Sequence, residues 1–162
     1  MPLPLRPFRH RGVLVVVWLA FAVEFLWTRR PGFWRTPYLR YEAAKQLAAD
    51  GRDAEAIEEM DRALADDAAN PGYLSFKGYL ETRAGRPDAA SQSFNKALTT
   101  RPDDAEIRLG LADAHVRVGR HAEAREVLVA LPSEGLTVEQ RYRRQALLGE
   151  IKAFDLALAD AA

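Results

Sequence analysis

Histidine side chains are the first candidates for catalytic or metal chemistry in this chain, which has three of them and no cysteine. His10 lies near the N-terminus, and His115 and His121 lie further along. A metal site needs several histidine, cysteine or carboxylate ligands at a defined spacing, and none of the three has such neighbours. The lack of cysteine also excludes disulfides, thiolate metal sites and thiol catalysis. We therefore expect no metal and no cofactor.

Adjacent acidic residues are the second candidates for chemistry, at Glu58-Glu59, Asp66-Asp67 and Asp103-Asp104. Solvated helix faces and negative charge at helix N-termini explain such pairs better than paired catalytic carboxylates do. The sequence has neither a glycine-rich phosphate loop nor a G-x-S-x-G motif. These observations predict that the protein is not an enzyme.

A fixed interval of 34 residues organises the middle of the chain. Glycine recurs at this interval, followed directly by arginine and, five residues later, by alanine; the glycines are Gly51, Gly85 and Gly119. Self-similarity over about 20–50 residues is the signature of a solenoid, and small residues at fixed offsets indicate paired helices. The chain should therefore fold as a stack of helix hairpins.

The middle unit, residues 71–102, shows how one hairpin is specified. Asn70 and Pro71 supply an N-cap and a proline at the first helical position. Gly85 can adopt the left-handed conformation that ends this helix near residue 84, and Pro87 suits the start of a second helix that runs to about residue 100. Small residues then mark where the two helices approach closely, with larger apolar residues around them.

These residues resemble the tetratricopeptide repeat (TPR) family, whose repeat carries three small residues, a glycine, an aromatic residue and a final proline at set positions. The middle repeat supplies all six, as Gly78, Gly85, Ala90, Phe94, Ala97 and Pro102. The first repeat has Met60 in place of the aromatic residue, and the third has Leu128 and Leu131 in place of the aromatic and the last small residue. The resemblance implies an all-α solenoid with three repeats over residues 38–131, divided as 38–70, 71–104 and 105–131.

The resemblance also implies a partner-binding groove, because in this family the first helix of each repeat lines the concave face. The corresponding residues are Tyr41, Lys45, Ser75, Tyr79, Arg83, Leu109, Asp113 and Arg117. Tyrosine anchors and cations along one groove suit an extended or helical peptide. A merely solvated surface is the alternative.

One variant of the family clamps the C-terminal carboxylate of chaperones with lysine, asparagine and arginine side chains. The matching positions hold Tyr41, Lys45, Phe76, Glu106 and Gly110, and at none of them is the residue the type that the clamp requires at that position. Binding of chaperone tails is therefore not implied for this chain.

Charge is distributed unevenly along the chain. Residues 1–40 hold seven arginines and one acid, Glu24, so the remainder must be acidic for the net charge to be zero. An acidic repeat region with no cationic stripe argues against nucleic acid, whose binding is driven by the neutralisation of phosphates.

The N-terminal region predicts a membrane anchor. Residues 12–28, after a basic tail at 1–11, are apolar apart from Glu24, and as a helix they reach about 25 Å, just enough to span a bilayer core. A cleaved signal peptide is the alternative, but its cleavage site would lie inside the apolar run. Trp18 and Trp27 are candidates for the membrane interface and, with Glu24, for contact with a partner helix.

Arginines flank both ends of this segment, so the positive-inside rule barely distinguishes the two possible membrane orientations. We favour a cytoplasmic N-terminus, a linker at 29–37 and a repeat domain in the periplasm of a bacterium, anchored in the inner membrane by a single pass.

A last helix at 137–160, opened by a capping box at residues 137–140, should cover the final repeat. Its apolar end could instead dock on another subunit.

These features predict a membrane-anchored TPR scaffold that mediates protein–protein interactions as an accessory or assembly subunit of a bacterial membrane complex. The partner would bind the concave face and, as a second route, the transmembrane helix. The alternative is a permanent structural subunit, held in a larger complex by its transmembrane helix, with the repeats as a cap.

Overall fold

Seven α-helices joined by short connections form the described part of the chain, in a computed structural model that describes residues 37–160. We number the helices in chain order: α1 (Pro37–Ala49), α2 (Asp53–Asp66), α3 (Pro71–Arg83), α4 (Pro87–Thr100), α5 (Ala105–Val118), α6 (His121–Val129) and α7 (Val138–Asp160). Each helix packs against the next as far as α6, and α7 packs against both α5 and α6. The predicted all-α solenoid of helix hairpins is confirmed.

The predicted membrane helix at 12–28, with Trp18, Glu24 and Trp27, lies outside the described residues, as does nearly all of the linker. Within residues 37–160, no helix is both long and apolar enough to cross a membrane.

The same glycine turn closes the first helix of every hairpin. Gly51, Gly85 and Gly119 have φ angles of 77°, 71° and 80°, a left-handed conformation that side chains other than glycine rarely adopt. The N–H after each glycine bonds to the carbonyl five residues earlier, over 2.9, 2.8 and 2.9 Å, which is the Schellman pattern that satisfies the last helical carbonyls. The 34-residue repeat of this turn sets the register of the solenoid.

Three buried clusters hold the hairpins together. The first joins α1 and α2 to α3, the second joins α3 and α4 to α5, and the third joins α5 and α6 to α7. Alanine occupies the closest approaches, since Ala56, Ala90 and Ala124 are fully buried. Met60 and Leu128, which replace the aromatic residue of the pattern, are also fully buried, so apolar volume rather than aromatic character is what these positions require.

The last helix begins with the expected capping box. The Thr137 N–H donates to the Gln140 side chain over 3.0 Å, and the Gln140 N–H donates to the Thr137 hydroxyl over 3.2 Å. Leu147 and Ile151 are buried against the last hairpin, whereas Leu158, near the end of the same helix, is 56% exposed. The buried cluster ends at Ile151, and residues 152–159 beyond it are all exposed.

Candidate functional site

Side chains from α1, α3 and α5 meet along one groove. Tyr41 and Lys45 lie one helical turn apart on α1, and Ser75, Tyr79 and Arg83 follow at the same four-residue spacing on α3. Residues four apart share one helix face, so α1 and α3, which together with α5 we call the inner helices, each present a stripe to the groove. The structure thus brings together the predicted residues of the first two repeats.

An aromatic cluster forms the wall between α1 and α3. The Tyr41 ring lies 5.3 Å from both the Tyr73 and the Phe76 rings, tilted on the first and edge-on to the second. Phe76 in turn stacks on Tyr79 at 6.5 Å between ring centroids. These separations lie in or close to the range in which aromatic pairs attract beyond their buried area. Tyr79 is 51% exposed, so the cluster offers apolar surface to a ligand.

Two cations lie over this cluster. The Lys45 ammonium is 5.4 Å from the centre of the Tyr41 ring, and the Arg83 guanidinium is 5.7 Å from that of Tyr79. Both distances permit cation–π attraction. A hydrogen bond from Lys45 to Glu42, together with the charge of that carboxylate, raises the pKa of Lys45.

A pocket of about 280 Å³ opens in this groove, and we call it the groove pocket. Helices α1, α3, α4, α5 and α7 all contribute to it, through Tyr41, Gly72, Ser75, Phe76, Tyr79, Phe94, Glu106, Gly110 and Arg143. Its volume lies just below the range of about 300–1,000 Å³ that is typical of small-molecule sites. It therefore suits a single large side chain better than a whole ligand.

The third repeat contributes less to the groove than the sequence predicted. Leu109, expected on the concave surface, is fully buried in the cluster that contains Leu147 and Ile151 of α7. Asp113 and Arg117 pair with each other at 3.1 Å and remain at least partly exposed. The prediction for Leu109 was wrong because α7 covers this part of the inner surface.

The family model for the tetratricopeptide repeat matches residues 81–148, from the end of α3 into α7. Over this stretch the chain matches the TPR family. No curated protein sequence matches the chain.

Solved TPR structures share the fold. The TPR domain of Sgt2 from Aspergillus fumigatus superposes with a TM-score of 0.66 at 17% identity, covering 74% of this chain and 81% of that one. The Yersinia enterocolitica type III secretion chaperone SycD, in complex with a peptide of the translocator YopD, has a TM-score of 0.66 at 17% identity and coverages of 73% and 93%. The second TPR domain of human RPAP3, in complex with the HSP70 peptide SGPTIEEVD, has a TM-score of 0.63 at 16% identity and coverages of 72% and 98%.

Gly72, Phe94 and Arg143 line the groove pocket but were not predicted from the sequence to lie in a groove. Phe94, the aromatic residue of the repeat pattern, is buried in the core, and its ring also forms part of the pocket lining. Arg143 belongs to α7, and its guanidinium pairs with Glu106 of α5 across 37 residues of sequence. No local sequence pattern links Arg143 to Glu106, so only the packing of α7 against α5 could reveal their contact.

His115 and His121 are the histidines within the described residues. Among residues 37–160, no group of three or more histidine and carboxylate side chains could hold a metal ion. Burial, followed by the charge of Arg120, lowers the pKa of His115, whose Nδ1 atom is buried without a hydrogen-bond partner. Because this histidine lies on α5 away from the groove pocket, we assign it no role in binding.

Proposed function

We propose that this chain is a membrane-anchored TPR scaffold that binds a protein partner in its groove, as an accessory or assembly subunit of a bacterial membrane complex. The aromatic cluster is the observation that carries the binding role. Tyr41, Phe76 and Tyr79 form one continuous ring surface beside the groove pocket, and partly exposed aromatics are typical anchors of protein interfaces. Two TPR domains of similar fold, SycD and RPAP3, hold peptides, which supports the same use of the fold here.

The anchoring role rests on the apolar segment at 12–28 and its flanking arginines. We place the N-terminus in the cytoplasm and the TPR domain in the periplasm, against the inner membrane. The expected outcome is that the full-length chain stays in the membrane pellet after alkaline carbonate extraction, and that a reporter fused after Ala162 is active only if it works outside the cytoplasm. Release into the supernatant contradicts the anchor, and an active cytoplasmic reporter reverses the orientation.

Binding in the groove can be tested by site-specific photo-crosslinking in cells. A photoreactive amino acid at Tyr79 should capture one defined partner, whereas the same amino acid at Tyr142, which is 73% exposed on α7, should not. The Tyr79→Ala variant should bind that partner at least about thirtyfold more weakly, as measured by copurification, since truncation of an interface anchor costs at least about 2 kcal/mol. Equal capture from both positions would move the interaction away from the groove.

A permanent structural subunit is the second candidate, and Glu24 favours it. An ionisable residue inside an apolar span often contacts a polar group of a neighbouring helix. Purification in mild detergent separates the two roles: a stoichiometric complex that Glu24→Leu disrupts indicates a structural subunit, and substoichiometric partners indicate an assembly factor.

A further inference from the structure

The cations along the groove are already neutralised by carboxylates of this same chain. Arg83 pairs with Asp53 of α2 at 3.0 Å and also donates to the Ala48 carbonyl at 3.1 Å, so an ion pair and a hydrogen bond hold it in place. The other three groove cations are likewise paired: Lys45 with Glu42 at 3.2 Å, Arg117 with Asp113 at 3.1 Å, and Arg143 with Glu106.

A ligand carboxylate would therefore meet an internal carboxylate beside each of these four cations. It would gain little, because the charge of each cation is already offset by that neighbour, which would also repel the ligand. Electrostatic complementarity consequently favours an uncharged ligand segment over an acidic one.

The groove pocket presents apolar surface at the same place. Tyr41, Phe76 and Tyr79 form its walls, and the ring of Phe94 reaches it between the inner helices. That access exists because Gly78 and Gly110 have no side chains, and the Phe94 ring occupies the space where their Cβ atoms would lie.

Two polar side chains of the groove pocket, Ser75 and Glu106, have partners within the chain. The Ser75 hydroxyl donates to the Gly72 carbonyl over 3.0 Å, and the Glu106 carboxylate accepts from Arg143. A neutral apolar side chain can therefore enter without leaving either group unsatisfied, whereas a buried charge would need a new partner.

We propose that the groove pocket takes one large uncharged aromatic or aliphatic side chain from an internal segment of the partner. The partner is then a neutral peptide segment with an apolar anchor, not an acidic C-terminal tail. This inference rests on the proposed function, because it specifies what the groove binds.

Selection from random peptides tests the inference. The full-length chain, purified in detergent, is used to select from two phage-displayed libraries, one with free peptide carboxyl termini and one with the peptides embedded between flanking residues. The selected peptides are then synthesised with blocked or free termini to match, and their binding is measured at low and high salt beside the acidic peptide SGPTIEEVD.

Variants that fill the pocket locate the binding. Ser75→Trp places a large side chain in the groove pocket, and Ser75→Leu does the same with less bulk if the first variant lowers helicity or thermal stability. Thr99→Trp is the matched control, since Thr99 is an exposed residue of α4 outside the pocket lining. Circular dichroism establishes that each variant is folded.

The expected result is a set of near-neutral embedded peptides that share one large apolar residue and bind with less than about a twofold change between low and high salt. Their affinity should fall at least about tenfold in the Ser75 variants and stay unchanged in Thr99→Trp. The acidic peptide should not bind detectably.

Two results would overturn the inference in different ways. In the first, the selected peptides are acidic, have free carboxyl termini, bind more weakly at high salt and do not bind the Ser75 variants. The groove would then recognise charge, which refutes the neutral anchor but keeps the proposed function. Selected peptides that bind the Ser75 variants as tightly as the wild type, or a failure to select any peptide, would refute both.

Discussion

The Phe94 ring of α4 occupies the space that a side chain at Gly110 of α5 would need: a Cβ atom at residue 110 would lie 2.6 Å from Cζ of Phe94. Gly78 of α3 stands in the same relation to this ring, at 2.9 Å. One aromatic residue of an outer helix is thus held between glycines of two inner helices. The second hairpin stacks on the third through this contact, which also contributes to the lining of the groove pocket.

The Gly110→Ala variant should be less stable than the wild type by about 1–3 kcal/mol, because the added methyl overpacks a rigid aromatic ring. Alanine favours a helix by up to about 1 kcal/mol relative to glycine, and the steric cost outweighs this gain. Urea unfolding measures the difference. Gly149→Ala on α7 is the control: apart from the neighbouring backbone of its own helix, no atom lies within 4 Å of its Cβ position, so this variant should be more stable by about 0.5–1 kcal/mol. A gain in stability for Gly110→Ala would contradict the packing.

A buried carboxylate links α3 to α4. The Glu81 side chain is buried, and one of its oxygens accepts a hydrogen bond from the Ser93 hydroxyl over 2.7 Å. Lys77 approaches the other oxygen at 3.6 Å and contacts Asp61 of α2 at 2.5 Å. Burial lowers the pKa of Lys77, but its hydrogen bond to Asp61 and the charge of Glu81 raise that pKa overall.

Ser93→Ala should therefore cost about 1–3 kcal/mol of folding free energy, since it leaves a buried carboxylate oxygen without its donor. Thr99→Ala provides the matched control on the same helix, because the exposed Thr99 hydroxyl bonds only to the Lys96 carbonyl one turn away. This control should stay within about 0.5 kcal/mol of the wild type in chemical denaturation. Equal effects of the two substitutions would show that the Glu81 contact contributes nothing.

Side-chain caps distinguish the inner helices α3 and α5 from the outer helix α4. The Asn70 side chain accepts from the Gly72 and Tyr73 N–H groups at 3.0 and 3.2 Å, and Asp104 caps α5 in the same way. Arg86 precedes α4 without a side-chain cap. Asn70→Ala should lower the unfolding free energy by about 0.5–2 kcal/mol, whereas Arg86→Ala should change it by less than about 0.5 kcal/mol. Thermal or urea unfolding of the two variants checks this order.

The lowered pKa of His115 predicts a dependence of stability on pH. The folded protein binds a proton at this site less readily than the unfolded chain, whose histidine titrates near 6.5. The contribution of His115 is therefore fully present above pH 6.5 and is lost as the pH falls through that value towards the lower pKa of the folded state.

The His115→Gln variant should lose less stability than the wild type when the pH is lowered across this window. Comparison of the two urea midpoints at each pH removes the effect of the carboxylates, which both proteins share. Arg120→Gln should raise the pKa of His115, as followed by NMR, because the Arg120 charge is one cause of its depression. If the stabilities of the wild type and His115→Gln depended on pH in the same way, His115 would not contribute to the pH dependence of stability.

The sequence by itself determined the repeat register, and the reason is local. Gly51, Gly85 and Gly119 each end a helix because their left-handed conformation is costly for other residues, and this constraint acts within one turn of chain. The buried positions of Ala56, Ala90 and Ala124 follow from the same register, since a small residue is needed wherever two helices of a hairpin approach closely. Tyr41, Ser75 and Tyr79 could be placed on one groove for the same reason.

Tertiary structure alone decided which of these surfaces stay open and how they are charged. Leu109 repeats the groove register but is buried, because α7 folds back over α5, and no periodicity in the repeats specifies that path. The partner of Arg143 lies 37 residues away, and that of Arg83 lies on a different helix. Such contacts depend on how helices distant in sequence pack side by side. The pairing of these groove cations with carboxylates on other helices could therefore not be predicted from the sequence.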